Sequence, residues 1–196
     1  MPKSQNQDSA RASRPVDQSS WLSSLIENLE RSGPEAAAAL QFMRRRRTRL
    51  GVHDQPTGAR WTIDRQIQIH PRFLELSPDD PYALSLVIHE VRHLQQGFLT
   101  ALSVYGELDA WRLQFSYLKS HLGRFHADPR RNSIIEELML LPLGWDRNVL
   151  AQARTLMRAY AGKRYRVDLL PLYPLHAEAL FWIAHRQPSL SREDAP

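Results

Sequence analysis

Apolar positions recur at helical spacing along most of the chain. The first stretch begins at Trp21, after Ser19 or Ser20 as cap, and stops at Gly33. A second helix begins at Pro34 and ends in the arginine run before Gly51. Later stretches carry the same signals, including a Thr100 cap for the helix that runs to Gly123. The predicted helices cover 21–32, 34–49, 81–97, 101–123, 132–141, 146–161 and 174–186.

The period changes between Gly58 and His70, where apolar and polar residues alternate. This alternation predicts one or two short strands, and we find no other convincing strand signal. The expected fold class is therefore α+β: a mostly helical domain with a small sheet or hairpin beside the central helix. Residues 1–20 are polar and are expected to be a disordered tail, 21–187 a single domain, and 188–196 a frayed end.

Composition narrows the possible chemistry. The chain has 196 residues, 42% of them hydrophobic and 24% charged, and no cysteine. The missing cysteines exclude disulfides, thiolate zinc fingers and iron–sulfur clusters, so a transition-metal site would need His, Asp and Glu. The apolar stretch 138–145 contains Pro142 and Gly144 and is too short to span a membrane. With no signal-peptide pattern at the start, we expect a cytoplasmic protein.

The net charge is +5, and the densest positive cluster is the run Arg44 to Arg49. Cations at a helix C-terminus complement the helix dipole, which favours an ordinary solvated helix end. The alternative is a patch that binds anions, nucleic acid or a membrane surface.

The strongest chemical signal is His89-Glu90-Val91-Arg92-His93, an HExxH motif inside the helix predicted over 81–97. Residues four apart lie about 40° apart around a helix, so both imidazoles can bind one metal ion. Glu90 lies about 100° from His89, where it can act as a base toward a metal-activated water. The helix is apolar on nearly all sides, and buried histidines need partners.

A catalytic zinc ion needs a third protein ligand and an open position. The next helix offers Glu107, which borders an apolar stripe, and Gly106 beside it permits a close approach. Asp109 is the alternative ligand, or a hydrogen-bonding partner to a ligand histidine.

His89-Glu90-x-x-His93 followed by Glu107-x-x-Ala110 resembles the gluzincin class of zinc metallopeptidases, especially minimal bacterial zincins. The resemblance covers about 61–117. Several branches carry Asp directly after the Ala, where this chain has Trp111. The strand-like segment 65–73 is similar to the edge strand that these enzymes place along the cleft.

The resemblance implies a zincin-like fold and hydrolysis of peptide or protein substrates. Zn²⁺ would be held by His89, His93 and Glu107, with Glu90 as general base. Arg92 either pairs with a nearby acid or binds a substrate carboxylate. Such enzymes commonly add an oxyanion-stabilising Tyr or His, for which Tyr165, Tyr173 and His176 are candidates.

Two other functions remain open: a zincin fold that binds metal or partners without proteolysis, and a basic module for anions or nucleic acid. The intact Glu90 argues against the first, since a purely structural site needs no base. Nucleic acid is an unfavoured partner, because aromatic and basic residues do not interleave. The oligomeric state does not follow from the sequence.

Overall fold

The computed structural model describes residues 17–162 and 165–185. The helices are α1 (Gln18–Arg31), α2 (Pro34–Arg46), α3 (Pro81–Gln96), α4 (Phe98–Ala101), α5 (Val104–Leu122), α6 (Pro129–Leu140), α7 (Arg147–Ala161) and α8 (Leu175–Ala184), and the strands are β1 (Arg49–Val52), β2 (Ala59–Trp61) and β3 (Gln66–Ile69). Two short 3-10 helices, Pro71–Glu75 and Arg166–Leu169, complete the fold. The predicted mostly helical α+β class is confirmed.

Several helix starts differ from the prediction. Asp17, not Ser19 or Ser20, caps α1 by accepting a hydrogen bond from the Ser19 amide. Thr100 does not cap α5, because the extra turn α4 intervenes and Ser103 provides the cap. In α6, the helix begins at Pro129 after an Asp128 cap rather than at residue 132. An aspartate before a proline is a strong start signal, because its side chain accepts from the first free amides.

The prediction that α2 continues to Arg49 is wrong. The helix ends at Arg46, Arg47 takes a left-handed conformation (φ 54°), and Arg49 begins the unpredicted strand β1. β1 pairs in parallel with β3, and β2 pairs with β3 in antiparallel orientation, so the strand order is β1-β3-β2. The expectation that 65–73 contributes the edge strand is also wrong, because β3 is the middle strand. The strand at the edge is β2.

Helix α3 lies at the centre of the core. It packs against α5 most extensively, and also against α2, α4 and the strands β2 and β3. Its apolar side chains Leu84, Val87, Ile88 and Val91 are at most 1% exposed. Complete burial of such a side chain stabilises the fold by about 1.5–3 kcal/mol. The core therefore fixes α3 firmly, and with it every side chain that α3 presents to the site.

The predicted tails fall largely outside the described residues. Residues 1–16 and 186–196 are not described, whereas residues 18–20 of the predicted N-terminal tail form the first turn of α1. Among the described residues, no helix is both long enough and apolar enough to cross a membrane.

Candidate metal centre

The two histidines of the motif meet on the buried face of α3. His89 and His93 are 6% and 2% exposed, and their Nε2 atoms lie 3.0 Å apart. They stand one turn apart, as the four-residue spacing predicts.

Glu107, in the first turn of α5, brings a carboxylate to the same point. Its Oε1 lies 3.5 Å from His93 Nε2, and its Oε2 lies 3.8 Å from His89 Nε2. Ligands that lie 2.0–2.2 Å from a tetrahedral zinc ion are separated from each other by about 3.3–3.6 Å. The two histidine nitrogens are 3.0 Å apart, and the two carboxylate oxygens lie 3.5 Å from His93 and 3.8 Å from His89, close to that range. These three residues form a group that could hold a metal ion.

The charges of the site show how a cation fits there. Burial alone would lower the pKa of His93, but the charge and hydrogen bond of Glu107 raise it to about 9. Burial lowers the pKa of His89 to about 3, helped by the nearby charge of His93. Burial alone would raise the pKa of Glu107, but both histidines and Tyr165 hold it at about 2. His93 is therefore positively charged at neutral pH, and a metal cation bound between the three side chains would replace that charge.

The ring of His89 can present Nε2 to the same point. Its Nδ1 is buried and has no hydrogen-bond partner of ordinary geometry, although the Gln114 side chain raises the pKa of the ring. When Nε2 of His89 accepts a hydrogen bond from His93, the neutral His89 ring must carry its own hydrogen on Nδ1. This is the tautomer in which Nε2 can ligate a metal, so the His₂Glu set fits Zn²⁺.

The neighbouring polar residues fix the second histidine. Nε2 of Gln96 donates to Gly106 O (2.9 Å) and to Asp109 Oδ2 (2.7 Å). Both partners are acceptors, so the amide orientation is determined and Oε1 of Gln96 faces His93 Nδ1 at 3.2 Å. Nδ1 of His93 must therefore carry hydrogen, which leaves Nε2 for a metal.

Asp109 is not placed among the ligand atoms. Its carboxylate accepts two hydrogen bonds from Arg92, at 2.7 and 3.2 Å, and one from Gln96. The prediction that Arg92 pairs with a nearby acid is confirmed. Asp109 reaches His93 through Gln96 rather than directly. From the sequence alone no role is assigned to Gln96, which is half-buried between the two.

Of the three candidate oxyanion residues, the structure brings Tyr165 to the site. Its hydroxyl donates to Glu107 Oε2 at 2.6 Å and accepts from Trp111 Nε1 at 2.9 Å. Tyr173 is buried against Trp145, and His176 is exposed beside the same ring. Tyr165 therefore holds the carboxylate of Glu107 in place.

Glu90 lies at the floor of the same site and is 5% exposed. Burial, with a contribution from the charge of Glu107, raises its pKa to about 7, while His93 and the Trp61 backbone oppose the shift. A carboxyl group with a pKa near neutrality can both take up and release a proton at physiological pH. Glu90 does not belong to the group of possible metal ligands.

A cleft of about 1100 Å³ opens over these residues. One wall is formed by β2 and the chain after it, and the other by residues of α6, α7 and the 3-10 helix that begins at Arg166. His126 is partly buried in this wall, between Tyr82 and Tyr160.

The arginine run does not form part of this cleft. Arg44 pairs with Glu30 (3.2 Å), Arg49 pairs with Asp64 (3.0 Å), and Arg47 terminates the helix. These contacts favour the interpretation of a solvated helix end. Comparisons of the chain with protein-family models, curated proteins and solved structures found no match.

Proposed function

We propose that this protein is a zinc-dependent metallopeptidase with a gluzincin-like site. The observation that carries the proposal is the convergence of His89, His93 and Glu107 in an open cleft, with Glu90 buried beside them. Three protein ligands and an accessible fourth side are typical of a catalytic zinc site, whereas a structural site is closed by four protein ligands.

A bound zinc ion supplies a Lewis acid that makes water nucleophilic near neutral pH. Glu90 then has two tasks: its carboxylate takes a proton from the attacking water, and it later returns that proton to the leaving amine. A pKa near 7 suits both directions of transfer. Tyr165 and Gln96 act on the ligand side chains, because they orient Glu107 and His93 respectively.

Strand β2 offers a place for an extended peptide. Gly58 O and Thr62 N bond to β3, so by the alternation of antiparallel pairing Ala59 and Trp61 turn their backbone groups away from β3. β2 lies at the edge of the three-stranded sheet and lines the cleft. A substrate strand could pair there by main-chain hydrogen bonds, as in β-strand addition.

The decisive variant is Glu90→Gln, which keeps the size of the side chain and removes the base. We expect zinc content and affinity close to the wild-type values and a loss of peptide cleavage of about 10²–10⁴-fold. Zinc is measured by atomic emission, and cleavage by a quenched fluorogenic peptide library. Glu75→Gln is the matched control, because Glu75 is exposed and outside the cleft.

Two outcomes would contradict the proposal. Undiminished cleavage by Glu90→Gln would show that Glu90 is not the base. A wild-type protein that binds zinc and cleaves no peptide would favour a metal-binding module without proteolysis.

A further inference from the structure

The cleft contains an unusual distribution of charge away from the metal site. Arginines line it on both sides: Arg72 on the β2 side, and Arg131 and Arg166 on the helical side. The only carboxylates among the described lining residues are Glu90 and Glu107, and both belong to the metal site. Apart from the metal site, the cleft is therefore a positively charged channel with cations on both walls.

The cleft arginines differ from several others in the described part of the chain, because they have no carboxylate partner. Arg44, Arg92 and Arg158, all outside the cleft, have a carboxylate within ion-pair distance. None of these three cleft arginines has such a partner among the described residues.

Their own contacts leave the guanidinium groups free to bind an anion. Arg72 and Arg131 lie over the rings of Phe73 and Tyr160, and Arg166 is exposed. Stacking on a ring positions a guanidinium while its N–H groups remain available for a carboxylate. Positive charges along walls of low dielectric also concentrate anionic ligands in a cleft.

We propose that the cleft selects acidic peptides, with Asp or Glu side chains near the cleaved bond bound by these arginines. This inference rests on the proposed function. The edge strand β2 and the hydrolytic side chains favour a peptide over a nucleic acid as the anion. An acidic peptide also complements the net charge of +5.

The first test compares three fluorogenic peptides of equal length that carry four Glu, four Gln or four Lys residues at the same positions. We expect kcat/KM for the Glu peptide to exceed that for the Gln peptide about tenfold, the amount that one hydrogen-bonded charge contributes. The Lys peptide should be cleaved least. Equal rates, or a preference for the Lys peptide, would overturn the inference.

The second test changes the charge of the helical wall. The double variant Arg131→Gln/Arg166→Gln should lower the Glu-to-Gln preference toward one, with Arg72 of the opposite wall left in place. Arg130→Gln/Arg46→Gln is the matched control, because it removes the same charge from exposed positions outside the cleft. An equal loss of preference in both doubles would assign the effect to net charge and overturn the inference.

Binding separates this inference from the proposed function. Zinc-loaded Glu90→Gln is titrated with the same peptides, labelled with a fluorophore, and with a labelled single-stranded 20-mer oligonucleotide. Tighter binding of the Glu peptide, weakened at high salt, supports the inference even if no peptide is cleaved. Cleavage without acidic preference would support the proposed function and overturn the inference. Tighter binding of the oligonucleotide than of the Glu peptide would assign the cleft to nucleic acid.

Discussion

Gln96 offers the sharpest test of how the metal site is held. Its side chain makes three hydrogen bonds, at 3.2 Å with His93 Nδ1, 2.9 Å with Gly106 O and 2.7 Å with Asp109. The first fixes the ring and tautomer of His93. Loss of such a partner typically weakens metal affinity 10–100-fold. At about 1.4 kcal/mol per factor of ten, this corresponds to about 1.4–2.8 kcal/mol of zinc binding free energy.

The perturbation is Gln96→Leu, which keeps a side chain of similar size and removes both the acceptor and the donor. We expect zinc affinity to fall within the range above. Separately, the unfolding free energy of the zinc-free variant should be roughly 1–3 kcal/mol lower than that of the wild type, because Asp109 and Gly106 O lose a hydrogen-bond donor. Gln96→Ala should weaken zinc binding to a similar degree, since the hydrogen bond rather than volume is responsible.

The assay is competition with a chromophoric zinc chelator at pH 7, and urea denaturation monitors the fold. Gln95→Ala is the matched control, because Gln95 is exposed and its side chain accepts only a 3.3 Å contact from Arg92. Zinc affinity of Gln96→Leu within twofold of the wild-type value would show that Gln96 does not hold His93 for zinc binding. A large loss in Gln96→Ala with none in Gln96→Leu would assign the effect to packing.

Three further predictions concern proton exchange, packing and the third ligand. Because the pKa of His93 is about 9 in the zinc-free protein, zinc must displace a proton from this ring when it binds. The zinc Kd, measured by chelator competition, should therefore fall about tenfold per pH unit from pH 6 to 8. A Kd that stays constant over this range would contradict the prediction. Gly106→Ala should lower the urea-derived unfolding free energy by about 1–3 kcal/mol, because a Cβ would lie 2.1 Å from a backbone oxygen, whereas Gly144→Ala, with no atom within 4 Å, should not. Tyr165→Phe should weaken zinc binding about tenfold, because Glu107 loses a donor at 2.6 Å; an unchanged zinc Kd would show that this contact does not position the ligand.

The three possible metal ligands were predictable because local geometry almost determines them. His89 and His93 share a helix face whatever the rest of the chain does. Glu107 follows after a short connection, which makes α5 return along α3, and its carboxylate then faces the histidines. Gly106 signalled the close approach, although the atoms that approach it are Thr100 O and the Gln96 side chain.

Strand β1 was not predictable in the same way. Its sequence, Arg49–Val52, contains a glycine and only two apolar residues, and it follows an arginine run that suits a helix end. This segment is a strand because it pairs in parallel with β3, which lies about 17 residues further along the chain. The helix stops because Arg47 adopts a left-handed conformation, for which its side-chain type gives no signal.

The contact of Tyr165 with Glu107 could not be predicted from the sequence, because the two residues lie far apart along the chain. Tyr165 lies 58 residues from Glu107, and helices α6 and α7 lie between them along the chain. The sequence therefore yields a group of aromatic candidates. Only the tertiary structure separates Tyr165 from Tyr173, which packs against Phe181 instead.

Gln96, by contrast, was within reach of sequence reasoning. It stands three residues after His93, and side chains at that spacing are neighbours on a helix. A ligand histidine needs an acceptor for its second ring nitrogen, so a polar side chain at this position is the first place to seek one. Asp109 stands two residues past Glu107, about 200° round α5 from it, yet its carboxylate accepts from the Gln96 amide that faces His93. The search for partners of an HExxH motif therefore extends to the turn that follows it.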